Sequence, residues 1–218
     1  MSSYITERRQ EEKDRRRTEI IDAAEALYRE LGWDAVTMES VAKRARLSRA
    51  LVYVYFKDKQ DLLFGISVRA VETLRQRFEE ASQRSKTGIE KITAIGRAYM
   101  AFAQEFPHFF DACARLEMHV PEPGAPPSEL ELACREIGRR VHDVVVAALR
   151  HGQEDGTIRQ DLGDLQVTSR VLWGFTHGII QIAITKAQPL AQVGISISQL
   201  TQHAIDLITS MLVPRATR

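Results

Sequence analysis

Apolar positions recur every three or four residues along almost the whole chain, and no stretch alternates apolar with polar over the length of a strand. The pattern predicts an all-α protein of about nine helices. In the first, over about residues 13–31, Ile20, Ala24, Leu27 and Leu31 share one face, flanked by Ile21 and Tyr28. Gly32 follows as a stop, because glycine tolerates the left-handed conformation at a helix end. Thr37 is placed to cap a short second helix whose inner side carries Met38, Val41, Ala42 and Ala45. Ser48 caps a third short helix, with Leu47 and Val52 at hydrophobic-staple positions. Asp58 caps a long fourth helix striped by Leu62, Leu63, Ile66, Ala70, Leu74 and Phe78, and Asp61 sits where a carboxylate meets the positive helix end.

Five further helices are predicted over about residues 88–105, 108–119, 128–154, 164–186 and 196–212, with the proline-rich segment 121–127 and the Asp155-Gly156 pair as breaks. The last two are apolar on more than one face: Leu165, Val171, Leu172, Phe175, Ile179, Ile180, Ile182 and Ala183, then Ile197, Leu200, Ala204, Leu207, Ile208 and Met211. A helix of that kind needs two partners. One face packs inside the chain and the other calls for a second chain, which makes Leu172, Phe175, Ile179, Ala183, Ile197, Ala204, Ile208 and Met211 the candidate dimer face. Gly174 and Gly178, four apart, allow close helix approach.

Charge changes this picture locally. The 218 residues carry a net charge of only +1, with 44% hydrophobic and 27% charged residues, as in an ordinary globular protein. Between Ser40 and Gln60, however, Lys43, Arg44, Arg46, Arg49, Lys57 and Lys59 face one acid, Asp58, a local excess of +5 that steers anions. Only Cys113 and Cys134 are present, which fits a reducing cytoplasm rather than a disulfide scaffold. No apolar run reaches the roughly 20 residues of a membrane span, and the charged N-terminus is not a secretory signal. The six histidines have no metal spacing, and no nucleophile elbow, P-loop or dinucleotide glycine motif is present. Neither an enzyme nor a cofactor is expected.

The basic segment coincides with two short helices and a tight turn, a helix-turn-helix, in which the second helix enters the DNA major groove. Its groove-facing positions are Ser48, Arg49, Ala50, Leu51, Tyr53, Val54 and Tyr55. Arg49 can read guanine edges, Ala50 permits close approach, and the tyrosines can offer hydroxyls to phosphates. Lys59 adds an ammonium at the next helix start. From Thr18 to Leu63 the chain resembles the DNA-binding domain of the TetR family of bacterial transcriptional regulators. The resemblance rests on Gly32-Trp33, Thr37, and the run Ser48, Ala50, Val52, Tyr53, Tyr55, Phe56, Lys59 and Leu62.

The resemblance implies phosphate contacts from Thr37, Tyr53, Tyr55 and Lys59, and groove contacts from Ser48, Arg49, Ala50, Leu51 and Val54. Two positions depart from the family pattern. Arg46 stands where glycine is usual; a left-handed backbone there costs about 1 kcal/mol, which a phosphate contact would offset. Leu51 stands where many relatives are polar and suggests contact with a thymine methyl. The Arg15-Arg16-Arg17 run, read at or before the first helix start, either touches neighbouring DNA or is a solvated helix start.

The family's larger C-terminal domain binds a small effector and dimerises, through a four-helix bundle made by the last two helices and their two-fold mates. Trp173, His177 and Gly178 match a Trp-x-x-x-His-Gly pattern of one branch. Phe102, Phe106, Phe109, Phe110, Met118, Trp173 and His177 are the candidate pocket walls, with Arg115 and His119 as polar anchors, a composition suited to an apolar or amphipathic ligand. The expected organisation is a tail over residues 1–13, a DNA-binding domain over 14–63 and a ligand-binding and dimerisation domain over 64–218. The expected function is a bacterial cytoplasmic regulator, a homodimeric repressor on a pseudo-palindromic double-stranded operator. A small-molecule effector would release it by shifting the helix over about 59–81. An activator of the same fold, or a helical binding module sensing through Cys113 and Cys134, is the alternative.

Overall fold

The computed structural model describes residues 2–121, 124 and 126–214, so Glu122, Pro123 and Ala125 of the proline-rich segment, Met1 and residues 215–218 lie outside the described residues. Among the described residues there are ten α-helices and no strand: α1 (Ser2–Leu31), α2 (Met38–Ala45), α3 (Arg49–Tyr55), α4 (Lys59–Gln83), α5 (Gly88–Glu105), α6 (Pro107–Glu117), α7 (Glu129–Glu154), α8 (Leu165–Thr185), α9 (Ala187–Gln192) and α10 (Ile197–Leu212). The chain forms two compact units, Met1–Ala70 with His108–Arg135, and Val71–Pro107 with Glu136–Arg218.

In the first unit α1 begins at Ser2, well before the predicted start near residue 13. Charged pairs one turn apart extend it: Glu12 binds Arg15 at 2.7 Å and Arg16 at 3.0 Å, and Glu19 binds the same two arginines. Arg15, Arg16 and Arg17 therefore lie inside a helix rather than at its start, and the first two are tied to carboxylates. The core is built from Ile20, Ala24 and Leu27 of α1, Val41 of α2, Val52 of α3, Phe56, and Leu62 and Ile66 of α4. Leu31, placed inward by the sequence pattern, is exposed because α1 ends there. α6 joins this unit through Phe109, Phe110 and Cys113; Pro107 opens it at a position where a missing N–H costs nothing.

In the second unit α5, α8 and α10 pack against one another, with Phe78, Tyr99, Leu149 and Ile158 fully buried among them and α7. α5 and α7 meet at two glycines. A Cβ on Gly88 would lie 2.1 Å from the Gly152 Cα, so only glycine fits that crossing. The Gly88 N–H donates to Asp155 Oδ2 at 2.7 Å, which fixes the start of α5 against the turn after α7. α9 was not legible as a separate helix; it is six residues long, and Pro189 stands in its first turn, where an amide would have no partner anyway.

Candidate nucleic-acid interface and internal cavity

The geometry of α2 and α3 follows from local hydrogen bonds. Thr37 Oγ1 accepts from the Ser40 N–H at 3.0 Å while Ser40 Oγ accepts from the Thr37 N–H at 3.0 Å, a reciprocal cap that starts α2. α2 ends at Arg46, whose backbone is left-handed with φ 57° and ψ 39°. Its N–H donates to Lys43 O at 3.2 Å and the Leu47 N–H to Ala42 O at 2.9 Å, so the last α2 carbonyls are satisfied in the manner of a glycine cap. Ser48 Oγ then accepts from the Leu51 N–H at 3.2 Å and starts α3. Asp58 Oδ1 does the same for the Asp61 N–H at 2.8 Å at the head of α4.

This turn leaves one side of α3 open. Arg49, Ala50, Tyr53 and Val54 are exposed, Leu51 and Tyr55 are half-buried, and Val52 points into the core. Val54 is 75% exposed, an apolar side chain in the middle of a helix with nothing over it. The Arg49 guanidinium lies along the helix, 5.5 Å from the Tyr53 ring centroid, and donates to Tyr53 Oη at 3.3 Å. Thr37, Arg46 and Ser48 are exposed beside it. Lys59 is held more firmly than its sequence position suggests: its ammonium sits 4.9 Å from the Trp33 ring centroid and donates to Asp34 O at 3.3 Å. Partial burial lowers its pKa. Arg44 is paired with Glu30, so the basic segment presents fewer free cations than the sequence count. Arg17, of the Arg15-Arg16-Arg17 run, also comes to this side. It lies 6.0 Å from the Phe56 ring centroid and binds Glu129 at 3.0 Å, beside a groove that also takes in Tyr53, Val54, Tyr55 and Lys57.

The residues named from sequence as pocket walls are divided between the two units. Phe109, Phe110, Arg115, Met118 and His119 belong to the first unit. Arg115 is not a free anchor there: it binds Asp111 at 2.9 Å and Asp34 at 3.1 Å, and Asp111 also accepts from Tyr28 Oη at 2.5 Å. His119 stands edge-on to Phe64 at 5.1 Å, and Met118 is 72% exposed. In the second unit Phe102 is fully buried and Phe106 lies under the Arg77 guanidinium. Trp173 alone of the nine lines a cavity of that unit, together with Phe78, Ile95, Tyr99, His142 and Thr176; the space is about 430 Å³ including its mouth. His177 stands behind this wall, its Nδ1 2.7 Å from Tyr99 Oη. Burial lowers the pKa of both His142 and His177. Sequence reasoning missed Tyr99, His142 and Ser169; the signal available was a set of polar side chains set within apolar helical stripes.

The expected dimer face is likewise redistributed. Ala204 and Ile208 are buried inside the second unit, and Leu172 and Ile208 line its cavity, so these three are taken up within the chain. Phe175, Ile179, Ala183 and Ile197 are half-buried and Met211 is exposed. The open apolar row on α8 is Val167, Val171, Gly174, Gly178 and Ile182, spaced by three and four, and Leu207 and Met211 are exposed on α10. Both thiols are buried, and burial pushes Cys113 and Cys134 up to about 12, which leaves them protonated and unreactive. Among the described residues no group of three His, Cys, Asp or Glu could hold a metal ion, and no helix is long and apolar enough to cross a membrane.

Comparison with known proteins matches two family models to the chain. The family model described as "Bacterial regulatory proteins, tetR family" matches residues 20–66, and "Tetracyclin repressor-like, C-terminal domain" matches residues 92–208, more than half of the chain. The chain is similar to the fatty acid metabolism regulator protein of Bacillus subtilis, 24% identical over 183 residues that cover 84% of this chain and 90% of that one. In fold it resembles a protein of unknown function from Rhodococcus sp. RHA1, with TM-score 0.73 and 22% identity over 91% of this chain and 96% of the other. It also resembles the regulator FadR of Bacillus subtilis solved in complex with stearoyl-CoA, with TM-score 0.65 and 20% identity over 88% and 97% of the two chains.

Proposed function

The chain belongs to the TetR family of ligand-responsive, DNA-binding bacterial transcriptional regulators, and from that premise we propose that it is a homodimeric repressor, released from a pseudo-palindromic operator when a small apolar or amphipathic molecule enters the cavity of its second unit. The observation that carries this reading is the open face of α3. Arg49, Tyr53 and an uncovered Val54 stand on a helix whose start the Ser48 side chain caps, beside exposed Thr37, Arg46 and Ser48. A guanidinium, hydroxyls and a valine on one face suit guanine edges, phosphates and thymine methyls. Arg49, Ala50, Leu51 and Val54 are assigned to the groove, with Ser48 at its edge. Thr37, Arg46, Tyr53, Tyr55 and Lys59 are assigned to the backbone. Residues 14–63 form the DNA-binding domain of this scheme and residues 64–218 the effector and dimerisation domain.

The dimer is assigned to the outward rows of α8 and α10, where Val167, Val171, Ile182, Leu207 and Met211 are exposed. Two-fold pairing of that face would give the assembly two copies of α3, which a pseudo-palindromic operator matches with two half-sites. The mostly apolar cavity lining supports an effector with little polar surface. α4 runs from Lys59 to Phe78 on the cavity wall without interruption, so a ligand that prefers one position of Phe78 biases the start of α4.

The test is a gel-shift titration on the DNA upstream of the chain's own gene, with Arg49→Ala and Tyr53→Phe combined as the control. Sequence-selective, salt-sensitive binding by the wild type that is lost in the double variant supports the reading. Binding that survives the double variant, or none at all, overturns it, and a reporter whose output falls when the gene is deleted identifies an activator.

A further inference from the structure

The cavity of the second unit has a chemical preference of its own. Its lining contains no lysine, arginine, aspartate or glutamate. One wall is aromatic: the Tyr99 and Trp173 rings stack on each other at 4.6 Å with 21° between their planes, and His142 stands edge-on to Trp173 at 5.7 Å. Besides the Thr176 hydroxyl, the polar side chains come as two bonded pairs, Tyr99 Oη with His177 Nδ1 at 2.7 Å and His142 Nδ1 with Ser169 Oγ at 2.9 Å. Ser169 is fully buried. Among the described residues Ser169 is the one hydrogen-bond partner of His142, so its Nε2 still offers a donor or an acceptor to whatever enters.

An ionised ligand group would give up its hydration here and meet no opposite charge on the lining itself; Arg170 and Asp143, outside it, act on His142 with opposing signs. Both imidazoles are disfavoured as cations by burial and supply none. A neutral hydroxyl or carbonyl, by contrast, can be satisfied at His142. Size narrows the class further. The enclosed part of the space is only about 40 Å³, room for a few waters, and the 430 Å³ that takes in the open mouth is an upper bound; a small ring system seated partly in the mouth fits these limits better than a long chain with a nucleotide head. Resting on the reading of this cavity as the effector site, we propose that the effector is an uncharged compound of one or two rings with a single hydroxyl or carbonyl group, held against the Tyr99–Trp173 wall and hydrogen-bonded to His142. The same lining disfavours carboxylates and acyl-CoA.

Gly96 provides the control. A Cβ built there meets no atom within 4 Å, so a larger side chain at this position grows into the cavity without a backbone clash. Calorimetric titration of the full chain, without DNA, compares 2-naphthol, naphthalene-2-carboxylate and stearoyl-CoA. The expected result is that 2-naphthol binds at least about ten-fold more tightly than the carboxylate. Gly96→Leu should abolish its binding while unfolding as cooperatively as the wild type, and His142→Phe should weaken it. Equal or tighter binding of the carboxylate or of stearoyl-CoA, 2-naphthol binding that survives Gly96→Leu, or no binding of 2-naphthol overturns the proposal. Gel shifts run in parallel separate the two readings: a chain that binds 2-naphthol in this way but keeps its DNA retains the ligand class and loses the cavity as effector site.

Discussion

Replacing Arg46 by glycine separates two roles that one residue combines. Its backbone is left-handed at φ 57°, the one positive φ among the described residues other than glycine. That conformation costs a non-glycine residue about 1–2 kcal/mol, and glycine gives back about 0.5–1 kcal/mol through its greater freedom when unfolded. Arg46→Gly should therefore stabilise the chain by about 0.5–1 kcal/mol, a rise in Tm of about 1–4 °C for a chain of this size. If the exposed guanidinium contacts a phosphate, the same change removes one contact per protomer. The slope of log K against log salt should then become shallower by about 0.9 per protomer, or about 1.8 per dimer. Arg46→Ala is the control: it loses the cation and keeps the strain, so it shares the slope change without the gain in Tm. Scanning calorimetry and fluorescence anisotropy on labelled operator between about 50 and 200 mM salt read the two effects apart. A Tm for Arg46→Gly at or below the wild type refutes the strain argument, and an unchanged slope removes Arg46 from the DNA contacts.

Three further outcomes follow from particular contacts. Gly88→Ala places a Cβ 2.1 Å from the Gly152 Cα and should destabilise by about 3 kcal/mol or more in urea unfolding; a loss below about 1 kcal/mol would mean that α5 and α7 can move apart freely. Cys113 and Cys134 should resist iodoacetamide at pH 8 in the folded protein and react at once in urea, since both are buried with pKa pushed up to about 12; labelling of native protein, followed by mass spectrometry, would revive a thiol-sensing role. His142 and His177 have pKa values lowered by burial from 6.5, so the unfolded chain binds more protons than the folded one below that value. Their stability contribution is complete above pH 6.5 and is lost as pH falls through the folded pKa values. Between pH 7.5 and 5.5 the wild type should therefore lose more stability than a His142→Gln, His177→Gln variant, and equal losses refute the assignment.

The helix-turn-helix was legible in the sequence because its determinants are local. Thr37, Ser48 and Asp58 each act within three residues, and a cap followed by a short apolar period needs no tertiary information. Even the left-handed Arg46 follows from a turn too short to be built otherwise. The pocket was not legible, because its membership depends on pairings with no sequence signal. Asp111 meets Tyr28 across 83 residues, and that bond, with Arg115 on Asp34, puts α6 in the first unit. Its aromatic run therefore reads as pocket wall from composition and is core in the fold. The start of α1 failed for the opposite reason: a polar helix held by pairs such as Glu12 with Arg15 and Arg16 has no apolar stripe to betray it.

α8 shows what periodicity leaves open. Val171 and Leu172 are equally apolar neighbours about 100° apart around the helix, yet Leu172 lines the cavity and Val171 is 63% exposed. Hydropathy reveals that two faces need partners and not which one the chain itself supplies. The glycines decide it. Each glycine inside a helix costs about 1 kcal/mol relative to alanine, a cost that close packing of another backbone can offset, as Gly88 does against Gly152. At Gly174 and Gly178 a Cβ would meet no atom within 4 Å, so nothing within the chain uses the space these two residues leave. They lie in one row with Val167, Val171 and Ile182, and a second helix set against that row would both cover the exposed aliphatic side chains and explain the glycines. This is the physical argument for assigning the two-fold contact to this face of α8 rather than to the row containing Leu172.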